Sequence, residues 1–186
     1  MGLFNKNQNE EAQPLSRRQQ LAGKYASSRH NILLVLIFTT INLVLLVANS
    51  DTYFLFSAYI PYMIVSMGMF LCGKYPEEFY EVVGETEFLD QSFLVVTLVI
   101  AVVICVLYLL CWLFSDKGRV GWLIAALVLF SLDTLLMLLG GIGLDSVVDI
   151  LFHGWVIVSL SMGISAYFKL KKLPEEEPVP VELPEE

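Results

Sequence analysis

The stretch YFLFSAYIPYMIVSMGMFL, residues 53–71, decides the fold, because whether it crosses a membrane sets the direction of every helix after it. Its length suits a spanning helix, which needs roughly 20 apolar residues. Its composition argues otherwise. Tyr53, Phe54, Phe56, Tyr59 and Tyr62 crowd the first half, and Pro61 interrupts it. Aromatic rings favour the membrane interface, and an interrupted helix at membrane depth needs protein around it to satisfy the freed backbone groups.

Four further apolar segments surround it: Asn31–Ala48, Ser92–Phe114, Val120–Leu139 and, after the break Gly140-Gly141-Ile142-Gly143, Asp145–Phe168. Basic residues near membrane helices collect on the cytoplasmic side. If all five segments cross, Arg17, Arg18, Lys24, Arg29 and Lys74 stand against Lys117, Arg119, Lys169, Lys171 and Lys172, and no orientation is favoured. If residues 53–71 enter and leave on one face, Lys74 alone falls outside and the other nine lie inside. The expected fold is therefore an all-α integral membrane bundle of four crossing helices plus one re-entrant or interfacial helix, with five spans as the alternative. Trp112 and Trp122 flank the basic loop Ser115–Arg119, and Tyr167 precedes Lys169, as an aromatic belt beside cytoplasmic charge would.

Composition supports the membrane setting. Apolar residues make up 56% of the chain and charged residues 16%, well below the quarter or so that is usual in soluble domains. The mean hydropathy is +0.69 and the isoelectric point about 4.7. The net charge of −8 comes mainly from two acidic stretches, Glu77–Asp90 and the tail after Pro174. With no basic stripe, nucleic acid is excluded as a partner. Cys72, Cys105 and Cys111 form neither a CxxC pair nor an even set, and read as buried thiols.

The chain divides into three parts. Residues 1–29 form a cytoplasmic segment whose first dozen residues are disordered; from Ser16 to Arg29 the Ser16/Gln19 capping-box spacing predicts a short interfacial helix. Residues 30–172 form the transmembrane domain. Residues 173–186, rich in Pro and Glu, form a disordered acidic cytoplasmic tail. The first apolar run is too long for a cleaved signal and reads as a retained anchor.

Four ionisable residues in the last two apolar segments carry a cost that asks for a reason: Asp133, Asp145, Asp149 and His153. A charge at the middle of a membrane helix costs on the order of 2.5–3.5 kcal/mol on insertion scales. Asp145, Asp149 and His153 recur every fourth residue and share one helical face. Asp133 lies about 10 Å inside the preceding, antiparallel helix, at a depth overlapping that of Asp149 and His153. Asp133, Asp149 and His153 are thus expected to meet, with Asp145 nearer the outer solvent. Such a set can pass protons or hold a cation, the metal being undetermined; it can equally be an interhelical hydrogen bond with a capping carboxylate. Thr39, Thr40 and Asn42 read as local hydrogen-bonders. Ser159-xxx-Gly163 and Ser161-xxx-Ser165 are small-xxx-small pairs that let helices pack closely.

The sequence holds no HExxH, GxSxG, P-loop or GxGxxG, so the reading leans away from an enzyme and implies no cofactor. Two function classes remain. One is an interaction, structural or regulatory membrane component, with the bilayer and a second copy or another membrane protein as partners. The other is a small proton- or cation-handling transporter or channel subunit using Asp133, Asp149 and His153.

The stretches Ser28-Arg29-His30-Asn31, Tyr53–Ala58 with Pro61-Tyr62, and Asp149–Trp155 resemble those of a group of small polytopic membrane proteins of Gram-positive bacteria. The resemblance covers most of the chain after Arg17. It implies a bacterial plasma membrane, with a multi-pass chain whose termini are both cytoplasmic by the charge rule, and carries no activity with it.

Overall fold

The computed structural model describes residues 15–83, 87–140 and 147–174, and its regular elements there are all helices. They run α1 (Arg17–Val47), α2 (Tyr59–Leu71), α3 (Glu77–Val83), α4 (Gln91–Phe114), α5 (Val120–Leu139) and α6 (Val147–Lys171), with a single 3₁₀ turn at Asp116–Gly118. Four of them, α1, α4, α5 and α6, are long and apolar enough to cross a membrane; α2 is the shorter apolar helix. The first dozen residues, the Gly141–Gly143 part of the expected break, Asp145 and the tail beyond Pro174 lie outside the described residues.

The capping box at Ser16 is present: Ser16 Oγ accepts from Gln19 N at 3.2 Å, and Gln19 Oε1 accepts from Ser16 N at 3.0 Å. The helix it starts does not stop near Arg29. It continues to Val47 as one rod of 31 residues, about 46 Å long at 1.5 Å per residue. The expected short interfacial helix is instead the first turns of α1. Ser28-Arg29-His30-Asn31 contains no breaker, and the side chains of Ser28, Arg29 and Asn31 bond to neighbouring elements.

One end of the bundle is stitched where α1 begins. Tyr25 Oη donates to Ser115 O at 2.6 Å. The Arg29 guanidinium reaches Ser115 Oγ at 3.0 Å, Asp116 Oδ1 at 2.9 Å and Trp112 O at 3.2 Å. Arg18 donates to Pro174 O at 3.0 Å, so the start of α1 and the end of α6 share this end with the α4–α5 turn.

At the opposite end the chain turns back on itself. Asn49 takes up a left-handed conformation (φ 51°), which Asn tolerates better than most residues, and α1 closes there with bonds from Asn49 N to Leu46 O and from Ser50 N to Leu45 O, both at 3.0 Å. Residues 50–58 then descend irregularly into the bundle, and α2 climbs back out. Its 13 residues span about 20 Å, short of the roughly 30 Å hydrocarbon core. The two ends of the excursion are joined, since Asn49 Nδ2 donates to Lys74 O at 2.9 Å. Leu89 N donates to Leu71 O at 2.8 Å, so α4 starts where α2 finishes, under an N-cap from Asp90. Hydrogen bonds from Ser92 hold the Asp90 carboxyl below its ordinary range.

The segment 53–71 is therefore a loop that dips in followed by a helix that returns, and Pro61 does not interrupt a helix as expected. It occupies the first turn of α2, where its missing N–H costs nothing. Gly68 lets α2 lie directly on α4: a Cβ there would overlap the Thr97 hydroxyl. The acidic stretch contains a short helix, α3, with Glu77 and Glu78 in its first turn, where the helix dipole favours them. Beside it Phe70, Tyr75, Phe79, Tyr80 and Phe88 form an aromatic cluster.

The main core lies between α1, α4, α5 and α6, around Ile32, Val35, Tyr108, Phe130, Val156 and Leu160. Outward flanks such as Val95, Val99, Val102 and Val103 on α4 are exposed and apolar, as lipid-facing surface should be.

Candidate functional site

A helix begins with four backbone N–H groups that lack intrahelical acceptors: those of the N-cap and of the first three helical residues. For α2 these belong to Ala58, Tyr59, Ile60 and Pro61. Pro61 has none, and Ala58 has no side chain that can cap. Neighbouring helices satisfy the other three. Thr39 Oγ1 on α1 accepts from Ala58 N at 2.8 Å. The Asp133 carboxylate on α5 accepts from Tyr59 N through Oδ2 at 2.9 Å and from Ile60 N through Oδ1 at 2.8 Å. Asp133 is thus an N-cap supplied from another helix, with its carboxyl oxygens at the positive end of the α2 dipole.

Asn42, one turn along α1 from Thr39, does the same for the descending loop. Its Nδ2 donates to Phe54 O at 2.6 Å and to Ser57 Oγ at 2.9 Å, and its Oδ1 accepts from Phe54 N at 2.8 Å. The amide pairs with Phe54 as a neighbouring strand would. Tyr53 Oη adds a bond to Ser57 Oγ at 3.0 Å. Phe56, next to Ser57, has φ 80°, an unusual value for a bulky residue. Its ring is held edge-on to Phe152 at 4.7 Å.

His153 completes the set. Its Nε2 lies 3.2 Å from Asp133 Oδ2 and its Nδ1 lies 2.7 Å from Asp149 O, while Phe130 stacks on the ring at 4.8 Å. Thr39, Asn42, Asp133 and His153 are each 2% exposed or less. A carbonyl only accepts, so Nδ1 carries hydrogen. The Nε2–Oδ2 contact then needs a proton of its own, held either as imidazolium facing carboxylate or as carboxylic acid facing imidazole. Either form leaves the pair neutral as a whole, which lowers the cost of burying it.

The structure brings together two of the three residues expected to meet, Asp133 and His153. Asp149 joins through its main-chain carbonyl; its half-buried carboxylate makes no hydrogen bond to a described residue. Among the described residues no group of three or more His, Cys, Asp or Glu side chains converges as a metal site would. Towards the basic end from Asp133 the packing is apolar, and the gap between Ile32, Val35, Tyr108, Ala126, Phe130 and Val156 is too small to admit a water.

The residues expected to mediate packing divide. Ser159 and Gly163 face α1 inside the chain: Ser28 Oγ donates to Ser159 O at 2.6 Å, Asn31 Nδ2 donates to Ser159 Oγ at 2.5 Å, and a Cβ on Gly163 would overlap Ser28. Ser161 and Ser165 are exposed on the outward flank of α6. Thr40 bonds only its own helix, at Leu36 O.

Thr39, Asn42 and Ser57 are the members that the sequence did not single out as a site. The available signal was Thr39 and Asn42 three residues apart on one face of α1. Comparison with protein families, with curated proteins and with solved structures gave no match for the chain.

Proposed function

We propose that the protein is a membrane-embedded interaction, structural or regulatory component and not a carrier of ions. One observation supports this above the others: both carboxyl oxygens of Asp133 are engaged, by two backbone amides and one imidazole. A transport site has to exchange ligands with water, and this carboxylate holds up a re-entrant helix. The partner surface in this reading is the outward flank of α6, where Ser161 and Ser165 leave room for another membrane helix to approach closely.

Flux assays in proteoliposomes test the reading. Proton and divalent-cation fluxes should equal those of protein-free vesicles, both for the native chain and for Asp149→Asn. Flux above that level, abolished by Asp149→Asn, would favour the second reading, a small proton- or cation-handling transporter or channel subunit. That reading draws on the proton between His153 and Asp133, beneath the half-buried carboxylate of Asp149.

The proposed setting is a bacterial plasma membrane, which rests on the sequence resemblance alone, with both chain ends cytoplasmic, which the gathering of nine of the ten near-membrane cations at the end where Arg18 meets Pro174 supports. Cysteines placed at Glu87 and at Pro174 should accordingly react with impermeant reagent from opposite faces, Glu87 from outside. Reaction of both from one face would overturn this topology.

A further inference from the structure

At the end stitched by Arg29, α1 and α4 meet directly, since the guanidinium bonds Trp112 O and Ser115 Oγ. At the other end α2 wedges between them: Val65 and Met69 share one buried cluster with Leu46 of α1 and Ala101 of α4. A helix that enters only halfway spreads its neighbours over only half their length. On the outward side of the wedge this leaves a groove of about 540 Å³, with one wall from Leu36 to Val47 on α1 and the other from Leu98 to Leu109 on α4. The Arg29–Asp116 bond sets the register of these antiparallel helices; carried along them, it places Leu36 level with Leu109 and Val47 level with Leu98. The groove therefore follows the helix axes for about 16 Å, at 1.5 Å per residue. Ala101 forms its floor and is fully buried. Among the described residues of its walls the one hydroxyl, that of Thr40, donates to Leu36 O at 2.8 Å, so the lining is apolar.

We infer that this groove holds an acyl chain of a phospholipid from the leaflet at the Lys74 end of the bundle. Length decides the class of occupant. One leaflet supplies about half of the roughly 30 Å hydrocarbon core, or about 15 Å, and the groove matches it. A spanning helix from a second copy or another protein runs for about 20 residues through the whole core, and would meet the joined part of α1 and α4 where the groove ends. Charge points the same way. Asn49, just beyond Val47, holds Lys74 O at 2.9 Å, which brings a cation to the end of the groove where the phosphate of such a lipid lies. Lipid tails are as apolar as leucine, so no hydrophobic gain draws the chain in. Close packing in the groove and the attraction of Lys74 for the phosphate hold it, and the lipid exchanges more slowly than its neighbours. The site shares no residue with the outward flank of α6 and needs only the membrane setting.

Photo-cross-linking of the full chain in phosphatidylcholine nanodiscs tests the inference, with a probe phosphatidylcholine that carries a diazirine halfway along one acyl chain. Val102 and Val103 are neighbours of one residue type, 57% and 53% exposed, and only Val102 lines the groove. Mass-spectrometric mapping should find adducts at Val102 roughly threefold more often than at Val103, the size of one modest contact within a membrane. Filling the groove by Val44→Trp with Val106→Trp, both at exposed wall positions, should lower the Val102 adduct by a similar factor, whereas Val103→Trp should leave it unchanged. Equal labelling of Val102 and Val103 in the native chain overturns the inference without recourse to any variant. So does a Val102 adduct that persists in the filled variant. A groove occupied by a second copy would instead bring the half-buried Cys105 of two chains together, and an oxidised Cys105–Cys105 dimer with no adduct at Val102 would overturn the inference as well.

Discussion

Replacing Asp133 by leucine should destabilise the folded protein by about 3–5 kcal/mol, the range for breaking a buried charged pair, and should free α2 from the bundle. The substitution removes the acceptor for Tyr59 N and Ile60 N and the partner of His153 Nε2 in one step. A buried donor left without an acceptor costs about 1–3 kcal/mol, and water cannot replace the carboxylate in an apolar surrounding. Asp133→Asn should be milder: its carbonyl still accepts from one amide, while its NH₂ faces a second donor. His153→Leu leaves both α2 amides capped and should cost less than Asp133→Leu. In the double variant Asp133→Leu/His153→Leu, the loss should fall short of the sum, because the imidazole left unpartnered in the single variant is gone. Chemical or thermal unfolding in detergent gives the stabilities; reaction of a cysteine at Ala58 with a soluble maleimide reports release of α2. Unchanged stability and a cysteine that stays protected in Asp133→Leu would remove Asp133 from its capping role.

Asn42→Leu should cost about 2–6 kcal/mol, set by the two Phe54 backbone groups it orphans at about 1–3 kcal/mol each. Its amide supplies both an acceptor and a donor to Phe54, at 2.8 and 2.6 Å, and the side chain is 1% exposed. Leucine approximates the shape and neither bond. Asn42→Asp separates the two halves of the interaction, since its carboxylate still accepts from Phe54 N but offers no N–H to Phe54 O. Thr40→Val serves as the control on the same helix: Thr40 is exposed and bonds only Leu36 O, so it should change stability by less than about 0.5 kcal/mol, the usual range for surface positions. If Asn42→Leu proved as mild as Thr40→Val, the descending loop would owe its conformation to something other than this amide.

The outline of the fold was legible because it rests on quantities that a sequence carries directly. Segment lengths offered five candidate spans, and the isolation of Lys74 from nine other cations indicated that residues 53–71 do not cross. The meeting of Asp133 and His153 followed from matching depths on antiparallel helices joined by a short turn. What stayed hidden involves the main chain. Thr39, Asn42 and Asp133 bind backbone atoms of residues 54–60, and a backbone amide has no residue type by which to recognise it. Asp149 shows the same limit from the other side. Its spacing from His153 was right, but the contacting atom is the carbonyl, which any residue at that position would supply. The continuity of α1 through Arg29 was missed because a capping box marks where a helix starts and says nothing of where it ends.

The cap that α2 lacks of its own is encoded far downstream: Asp133 lies 74 residues after the Tyr59 amide it binds. At about 5–20 residues per second, synthesis leaves a wait of roughly 4–15 s between the two. During that interval the nascent chain has Thr39 and Asn42 to hold the loop and nothing to receive the first amides of α2. An apolar stretch long enough to lie across the bilayer thus leaves the ribosome before the residue that requires it to turn back. The carboxyl that caps α2 becomes available only once the fifth helix is made.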